Sequence, residues 1–133
     1  MQSTIGVLLG MVGIGGPLAR LGCIGRNSEG QVISVSGFKK KVTDAKLVRL
    51  KGLTELQSLD LSETKITDAG LVHLKGLTNL QDFHLDDTQI TDAGLVHLKG
   101  MSSLTRLNLW KTQVTDAGVA ELQKALPNCT IYK

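Results

Sequence analysis

The chain is built on a repeat of 24 residues. The tripeptide Thr-Asp-Ala recurs at this spacing four times, beginning at Thr43, Thr67, Thr91 and Thr115. The segment from Ile66 to Gly76 is identical to the segment from Ile90 to Gly100. A unit this short cannot bury a core alone, so successive units must stack and the chain must form a solenoid. The broad exposed face of that stack is its expected working surface.

The length of 133 residues allows one domain with one core. Aromatic residues make up only 3% of the sequence, although 41% of it is hydrophobic. The core is therefore expected to consist of Leu, Ile and Val side chains stacked in layers.

The first half of each unit predicts a short strand. In the second unit, apolar residues stand at positions 56, 59, 61 and 66. This spacing has the form that is typical of leucine-rich repeats. Leu59 and Leu61 share one face of the strand, and Asp60 points the other way. Three threonines stand where such repeats usually carry asparagine, and their hydroxyls are expected to bond backbone groups; they are Thr64, Thr88 and Thr112.

The second half of each unit predicts a helix. Thr67 is a suitable N-cap, Asp68 favours the positive helix start, and Lys75 with Gly76 marks the helix end. Three glycines occupy the first helical turn, at Gly70, Gly94 and Gly118. The first unit has Lys46 there, so a positive φ is not required. We expect these glycines to reflect close packing on the preceding repeat.

The segment from Ile66 to Leu77 resembles the bacterial leucine-rich repeats of the cysteine-containing or GALA-like subclass. These repeats are abundant in planctomycete proteins and similar to those of F-box substrate receptors. The resemblance covers about residues 30–133. It implies a right-handed α/β leucine-rich-repeat solenoid, with a parallel sheet on its concave face and short helices on its convex face. It also implies a binding scaffold without catalysis.

The same resemblance suggests how the array is closed at each end. Residues 20–35 are expected to form an N-terminal cap, with a short helix ending at Leu21-Gly22 and a turn from Asn27 to Gly30. Residues 36–133 are expected to form the repeats, with a closing segment from about residue 125. Gly37 takes the place of an inward leucine and Phe38 comes one residue late, so a distorted first strand is expected.

Residues 1–19 are an apolar lead-in, either a cap helix or a signal-like segment. Its apolar run is shorter than the roughly 20 residues of a membrane-spanning helix, and its start lacks positive charge. Arg20 also stands where a lipoprotein cleavage site before Cys23 would have an aliphatic residue. These features favour a cytoplasmic location and leave export open.

Charge and cysteine usage do not indicate a nucleic-acid, disulfide or metal site. Residues 20–52 carry eight basic and two acidic side chains, whereas residues 53–97 carry two and eight. The run Lys39-Lys40-Lys41 is interpreted as a solvated end of the array, and contact with nucleic acid through it is the lesser alternative. Cys23 and Cys129 lie near opposite ends of the repeats, so both are expected to be free and buried.

Outward strand positions form columns across the predicted concave face. The residues expected to contact a partner are Ser58, Asp60, Ser62, Asp82, His84, Asp86, Arg106, Asn108 and Trp110. Ser34, Ser36 and Phe38 would extend the columns into the first strand. Trp110 is the strongest candidate for an interface anchor, and the alternative is that its ring covers an end of the core.

The group Asp82, His84 and Asp86 could also bind a divalent cation. Side chains on one face of a strand are about 6.5–7 Å apart, and an open sheet offers no pocket that excludes water. No cofactor and no metal ligand are therefore assigned. His73 and His97 repeat at matching helix positions, which favours a structural role on the convex face.

The sequence thus predicts a monomeric, non-catalytic scaffold for protein–protein interaction, with no membrane span. One alternative is a recognition module detached from a larger protein. The other is a metal-dependent site around Asp82, His84 and Asp86.

Overall fold

A computed structural model of the protein describes residues 23–36 and 42–133. Its strands are β1 (Cys23–Arg26), β2 (Val32–Ser36), β3 (Ser58–Asp60), β4 (Asp82–His84), β5 (Arg106–Asn108) and β6 (Thr130–Tyr132). Its α-helices are α1 (Asp68–Leu71), α2 (Asp92–Leu95) and α3 (Asp116–Ala125), and its 3₁₀ helices are Asp44–Leu50, Val72–Leu74 and Val96–Leu98. The strands form one sheet in chain order, and from β2 to β6 every pair is parallel.

The core lies between this sheet and the helices, as the apolar spacing predicts. Leu59, Phe83 and Leu107 occupy matching inward positions of β3, β4 and β5, and all three are fully buried. Leu71 and Leu74 close the core from the helix side and are also fully buried. Each apolar column therefore runs through successive units and holds the stack together.

The helices differ from the expected form, because two of them change type along their length. α1 makes a single turn and continues directly as the 3₁₀ helix Val72–Leu74, which ends before Lys75 and Gly76. α2 continues in the same way, whereas the helix of the first unit is 3₁₀ throughout. A 3₁₀ helix rises about 2.0 Å per residue against 1.5 Å for an α-helix, so it covers more length with few residues.

An aspartate joins each repeat to the next one. Oδ1 of Asp44 accepts a hydrogen bond from the backbone N–H of Thr67 at 2.7 Å, and its Oδ2 accepts one from the Thr67 hydroxyl at 2.5 Å. The Thr67 hydroxyl in turn accepts from the N–H of Ala69 at 3.3 Å, which confirms Thr67 as an N-cap. We call this pair of hydrogen bonds between an aspartate and the threonine of the next unit a joint. A second joint connects Asp68 to Thr91. Each helix start is thus held by the unit before it.

At the third joint, Asp92 accepts hydrogen bonds from the hydroxyl and the N–H of Thr115. The hydroxyl bond is the main reason that the pKa of Asp92 lies below its ordinary value of 3.8, and the N–H bond lowers this pKa further. Desolvation opposes the shift, and Lys133 adds to it. The joint therefore favours the ionised carboxylate.

The three helix glycines are explained by these joints. A Cβ at Gly70 would collide with the carboxylate of Asp44 and would lie 2.8 Å from Cδ1 of Leu47. Gly94 and Gly118 face Asp68 and Asp92 in the same way. None of the three has a positive φ, so the prediction of close packing on the preceding repeat is confirmed.

Threonine replaces the usual asparagine as a hydrogen-bond donor to the strand exit. The hydroxyls of Thr64, Thr88 and Thr112 donate to the carbonyls of Leu61, Leu85 and Leu109 at 2.6–2.7 Å. This confirms that a hydroxyl satisfies a backbone group where the chain leaves the strand.

The N-terminal end carries a β-hairpin that the sequence did not indicate. β1 pairs antiparallel with β2, and the register shifts between Gly25 and Arg26. The predicted turn is present: Asn27 Oδ1 accepts from the N–H of Glu29 and of Gln31, and Gly30 has φ of 82°. The distortion predicted from Gly37 and Phe38 concerns residues outside the described ones. Within β2, Ser34–Ser36 pair in register with β3, and the register shift against β1 leaves Ile33 as the extra residue.

Cys129 is buried as expected, and burial raises the pKa of its thiol. The expectation of a buried Cys23 is wrong: this thiol is exposed on the edge strand β1. Both thiols are free, and β1 and β6 are opposite edges of the sheet. The lead-in, the short helix at Leu21-Gly22, Gly37, Phe38 and the run Lys39-Lys40-Lys41 lie outside the described residues.

Candidate binding face

The outward side chains of the strands line up across the sheet, and we call this surface the concave face. Strand register places Ser34, Ser58, Asp82, Arg106 and Thr130 in one row and Ser36, Asp60, His84, Asn108 and Tyr132 in the next. These rows agree with the predicted columns and extend each by one residue. The third column follows the strands, where the N–H of Asp87 donates to the carbonyl of Trp110 and continues the pairing.

His84 lies between two carboxylates of its own strand segment. Its Nε2 is 3.2 Å from Asp82 Oδ1, and its Nδ1 is 4.0 Å from Asp86 Oδ1. Arg106 reaches the same oxygen of Asp82 from β5, with Nε at 3.9 Å. Alternate residues of a strand are about 6.5–7 Å apart, but the His84 ring reaches both carboxylates to within 4.0 Å.

Asp82 Oδ1 is withdrawn from solvent, yet it accepts no well-formed hydrogen bond among the described residues. The 3.2 Å approach of His84 is therefore an electrostatic contact rather than an aligned hydrogen bond. A buried carboxylate oxygen normally has a donor, so Asp82 has unused capacity to accept one.

Two other outward side chains form hydrogen bonds that fix the backbone just after their strands. Asp60 Oδ1 accepts from the N–H of Ser62 at 3.0 Å and from its hydroxyl at 2.5 Å. Asn108 Oδ1 accepts from the N–H of Trp110 at 3.0 Å. These bonds position Ser62 and Trp110, so Asp60 and Asn108 contribute to the shape of the face as well as to its polarity.

Two aromatic side chains project at the β5–β6 end of the face. Trp110 is 55% exposed, and Tyr132 in β6 is 50% exposed. The Lys111 ammonium lies 4.7 Å from the centroid of the Trp110 ring, within the range of a cation–π contact. At this exposure the Trp110 ring leaves much of its surface open to solvent.

Tyr132 is a residue of this face that the sequence reasoning missed. It comes 24 residues after Asn108, so the repeat period alone could have found it. It was overlooked because residues from about 125 onward were interpreted as a closing segment, whereas that segment ends in β6, which pairs parallel with β5.

Exposed apolar residues also occur on the convex face, but there they repeat. Val48, Val72 and Val96 stand at the same position of three successive units, and all are exposed. The repetition of valine distinguishes them from Trp110, whose equivalents in the two preceding units are Asp86 and Ser62.

Over residues 23–36 and 42–133, no group of three or more His, Cys, Asp and Glu side chains is arranged to hold a metal ion. The same residues include no helix with the length and apolar character required to cross a membrane.

Comparison with known proteins identifies the class of the fold. Residues 54–114 match the family model of the leucine rich repeat. The crystal structure of an internalin C2 from Listeria monocytogenes str. 4b F2365 aligns with 74% of this chain at 27% identity and a TM-score of 0.55. The aligned region is 48% of that internalin chain, so the present chain spans about half of its length.

Two further structures share the fold at lower identity. Actin-binding site 2 of leiomodin-1 aligns with 87% of this chain and 76% of its own, at 22% identity and a TM-score of 0.61. The Chaetomium Mex67:Mtr2 structure aligns with 86% of this chain and 84% of its own, at 18% identity and a TM-score of 0.60. No curated protein sequence matches the chain significantly.

The chain therefore has the fold of a leucine-rich-repeat solenoid, with parallel strands in one sheet and short helices opposite. Such solenoids commonly serve as modules for protein–protein interaction and are typically not enzymes, and the matches indicate no catalytic family.

Proposed function

We propose that this chain is a non-catalytic module that binds a protein partner through its concave face. The observation that carries the proposal is the contrast between the two sides of each strand. The inward positions of β3, β4 and β5 are all large and apolar, whereas the outward pairs are Ser-Asp, Asp-His and Arg-Asn. Folding requires only the inward side to be uniform, so the outward side is free to encode the specificity of a partner.

The exposed aromatic side chains support this assignment. Trp110 and Tyr132 stand at one end of the face, and tryptophan and tyrosine are enriched among the residues that dominate binding energy. Arg106, another residue type enriched at such positions, lies on β5 beside Asp82 of β4.

The finer resemblance, to bacterial repeats of the GALA-like subclass and to F-box substrate receptors, is part of the proposal. It agrees with a recognition role, in which the repeats select a partner and supply no chemistry. A metal-dependent function around Asp82, His84 and Asp86 has no support, because these three groups are not arranged to hold an ion.

The test is capture of partners from a lysate of the source organism with immobilised wild-type chain and with the double variant Trp110→Ala, His84→Ala. A matched control is Val96→Ala, His97→Ala, which removes an equally exposed apolar residue and a histidine from the convex face. Circular dichroism of all three chains checks that they are folded.

We expect a partner that is retained by the wild type and by the convex-face control and is lost from the concave-face variant. After identification, Trp110→Ala alone is expected to weaken its affinity by about 30-fold, since a residue that dominates binding contributes about 2 kcal/mol or more. A partner that is retained by both variants would assign binding to another surface and would refute the proposal.

A further inference from the structure

The concave face has two halves of different chemistry. The segments 58–63 and 82–87, which contain β3 and β4, carry five carboxylates and no lysine or arginine. The segment 106–111, which contains β5, carries Arg106, Trp110 and Lys111 and no carboxylate. Tyr132 on β6 adds a second exposed aromatic ring to that side.

The acidic half is poised to accept hydrogen bonds. Asp82 Oδ1 lacks a well-formed hydrogen bond although it is withdrawn from solvent. His84 and Arg106 approach it at 3.2 and 3.9 Å without supplying one. Asp86 is nearby, with its Oδ1 at 4.0 Å from His84. A guanidinium or ammonium group from a partner would pair with the accessible atoms of both carboxylates, whose side chains are 31% and 22% exposed.

The distance between the two halves suits one short peptide. Neighbouring strands of a sheet lie about 4.8 Å apart, so the segment with Asp82 and Asp86 is one spacing from Trp110 and two spacings, about 10 Å, from Tyr132. An extended peptide advances about 3.4 Å per residue. A peptide crossing the strands would therefore bring residues one to three positions apart to the two halves.

We propose that the partner presents an extended segment in which a lysine or arginine contacts Asp82 and Asp86, and an aromatic or large apolar side chain, one to three residues away, packs on Trp110 and Tyr132. This inference rests on the proposed function, because it specifies what the concave face binds. The clustered carboxylates disfavour a polyanionic ligand, which leaves a protein segment with one basic and one apolar anchor.

The experiment is selection of a displayed library of random 12-residue peptides on the immobilised full chain. We expect the enriched sequences to share a basic residue and an aromatic or large apolar residue at a separation of one to three positions. Affinities of the synthetic peptides are then measured by fluorescence anisotropy at low and at raised salt. The double variant Asp82→Asn, Asp86→Asn, which keeps side-chain size, is expected to weaken binding about tenfold and to reduce its salt dependence.

Exchanging the charges of Asp82 and of the basic residue of the peptide tests whether these two residues are in direct contact. A chain with Asp82→Lys is expected to lose the selected peptide and to bind the same peptide with its basic residue replaced by glutamate. Restored binding requires direct contact, since a merely structural effect of Asp82→Lys would weaken both peptides.

The outcomes separate this inference from the proposed function. Peptides that lose affinity with Trp110→Ala but lack the basic residue would overturn the inference and leave the concave face as the binding surface. Peptides that bind every concave-face variant normally, or that respond only to Val96→Ala, His97→Ala, would overturn both. Failure to enrich any sequence would overturn the inference of an extended peptide ligand.

Discussion

On the helix side of each repeat the same residues recur because they touch the next unit, whereas on the outward strand side the residues change from one unit to the next. Asp68 and Thr91 are fixed by the joint that they form, and Gly94 is fixed by the space that the joint leaves. By contrast, Asp82 and Arg106 occupy equivalent outward positions and carry opposite charges. At the joints, repetition reflects the contacts of stacking, whereas on the outward strand side stacking leaves the side chain free to vary.

The difference in stability between inward and outward variants is expected to be largest for two adjacent residues of β4. Phe83→Ala empties a fully buried site and should lower the free energy of unfolding by about 3–5 kcal/mol. His84→Ala removes a side chain that is 33% exposed and makes only loose contacts with two carboxylates, so it should cost less than about 1 kcal/mol. Urea unfolding followed by circular dichroism measures both, and equal losses would contradict the division between the two sides of the strand.

A methyl group added at a joint should have the next largest effect. Gly94→Ala places a Cβ against the Asp68 carboxylate and 3.1 Å from Cδ1 of Leu71, and overpacking of this kind costs about 1–3 kcal/mol. The free energy of unfolding in urea gives the measurement.

Gly76→Ala is the matched control, because no atom lies within 4 Å of the added Cβ and its φ is not positive. This control should be neutral or stabilised by up to about 1 kcal/mol, since alanine restricts the unfolded chain. If the two variants had the same stability, the joint would not explain the glycine.

A smaller loss is expected at the strand exit. Thr88 is 6% exposed, and its hydroxyl donates to the carbonyl of Leu85 at 2.6 Å. Thr88→Val keeps the shape but leaves that carbonyl without its donor, which should cost about 1–2 kcal/mol. Thr88→Ser retains the hydroxyl and should recover most of the loss in the same urea experiment, and a serine variant as unstable as the valine variant would count against the hydrogen bond.

The smallest effect concerns the pH dependence of the third joint. Because the pKa of Asp92 is lowered in the folded chain, its contribution to stability is present above its ordinary value of 3.8 and is lost as the pH falls through the lower folded value. Asp92→Asn should therefore flatten the fall in stability below about pH 4. Thermal unfolding of both chains between pH 2 and 6 gives the comparison, and parallel curves would show that this carboxylate does not contribute.

The apolar period was sufficient to predict the units, the inward leucines and the rows of the concave face, because a strand exposes alternate residues whatever its neighbours are. The apolar period could not predict the hydrogen bonds between the aspartate of one unit and the threonine of the next. Asp68 was interpreted only as a favourable charge at a helix start, since a period of 24 identifies equivalent positions but does not indicate which positions of neighbouring units touch.

Other features depend on contacts that no local pattern indicates. The antiparallel strand β1 is short and contains Gly25, so its pairing depends on β2. Glu63, Asp87 and Lys111 all have φ of 57° directly after the outward columns, yet none is a glycine that would indicate a left-handed turn. The unused hydrogen-bonding capacity of Asp82 appears only when β4 and β5 lie side by side.

The joint between repeats also bears on how such a chain can grow. Its aspartate belongs to one unit and its threonine and glycine to the next, so a unit copied whole carries both the site that receives the previous aspartate and the aspartate that enters the following unit. A copy of residues 66–89 inserted before Ile90 would form two joints of the existing kind. The array can lengthen from its middle by simple duplication, and the identity of Ile66–Gly76 with Ile90–Gly100 agrees with such an origin. Its length is thus open to change by recombination in steps of one unit.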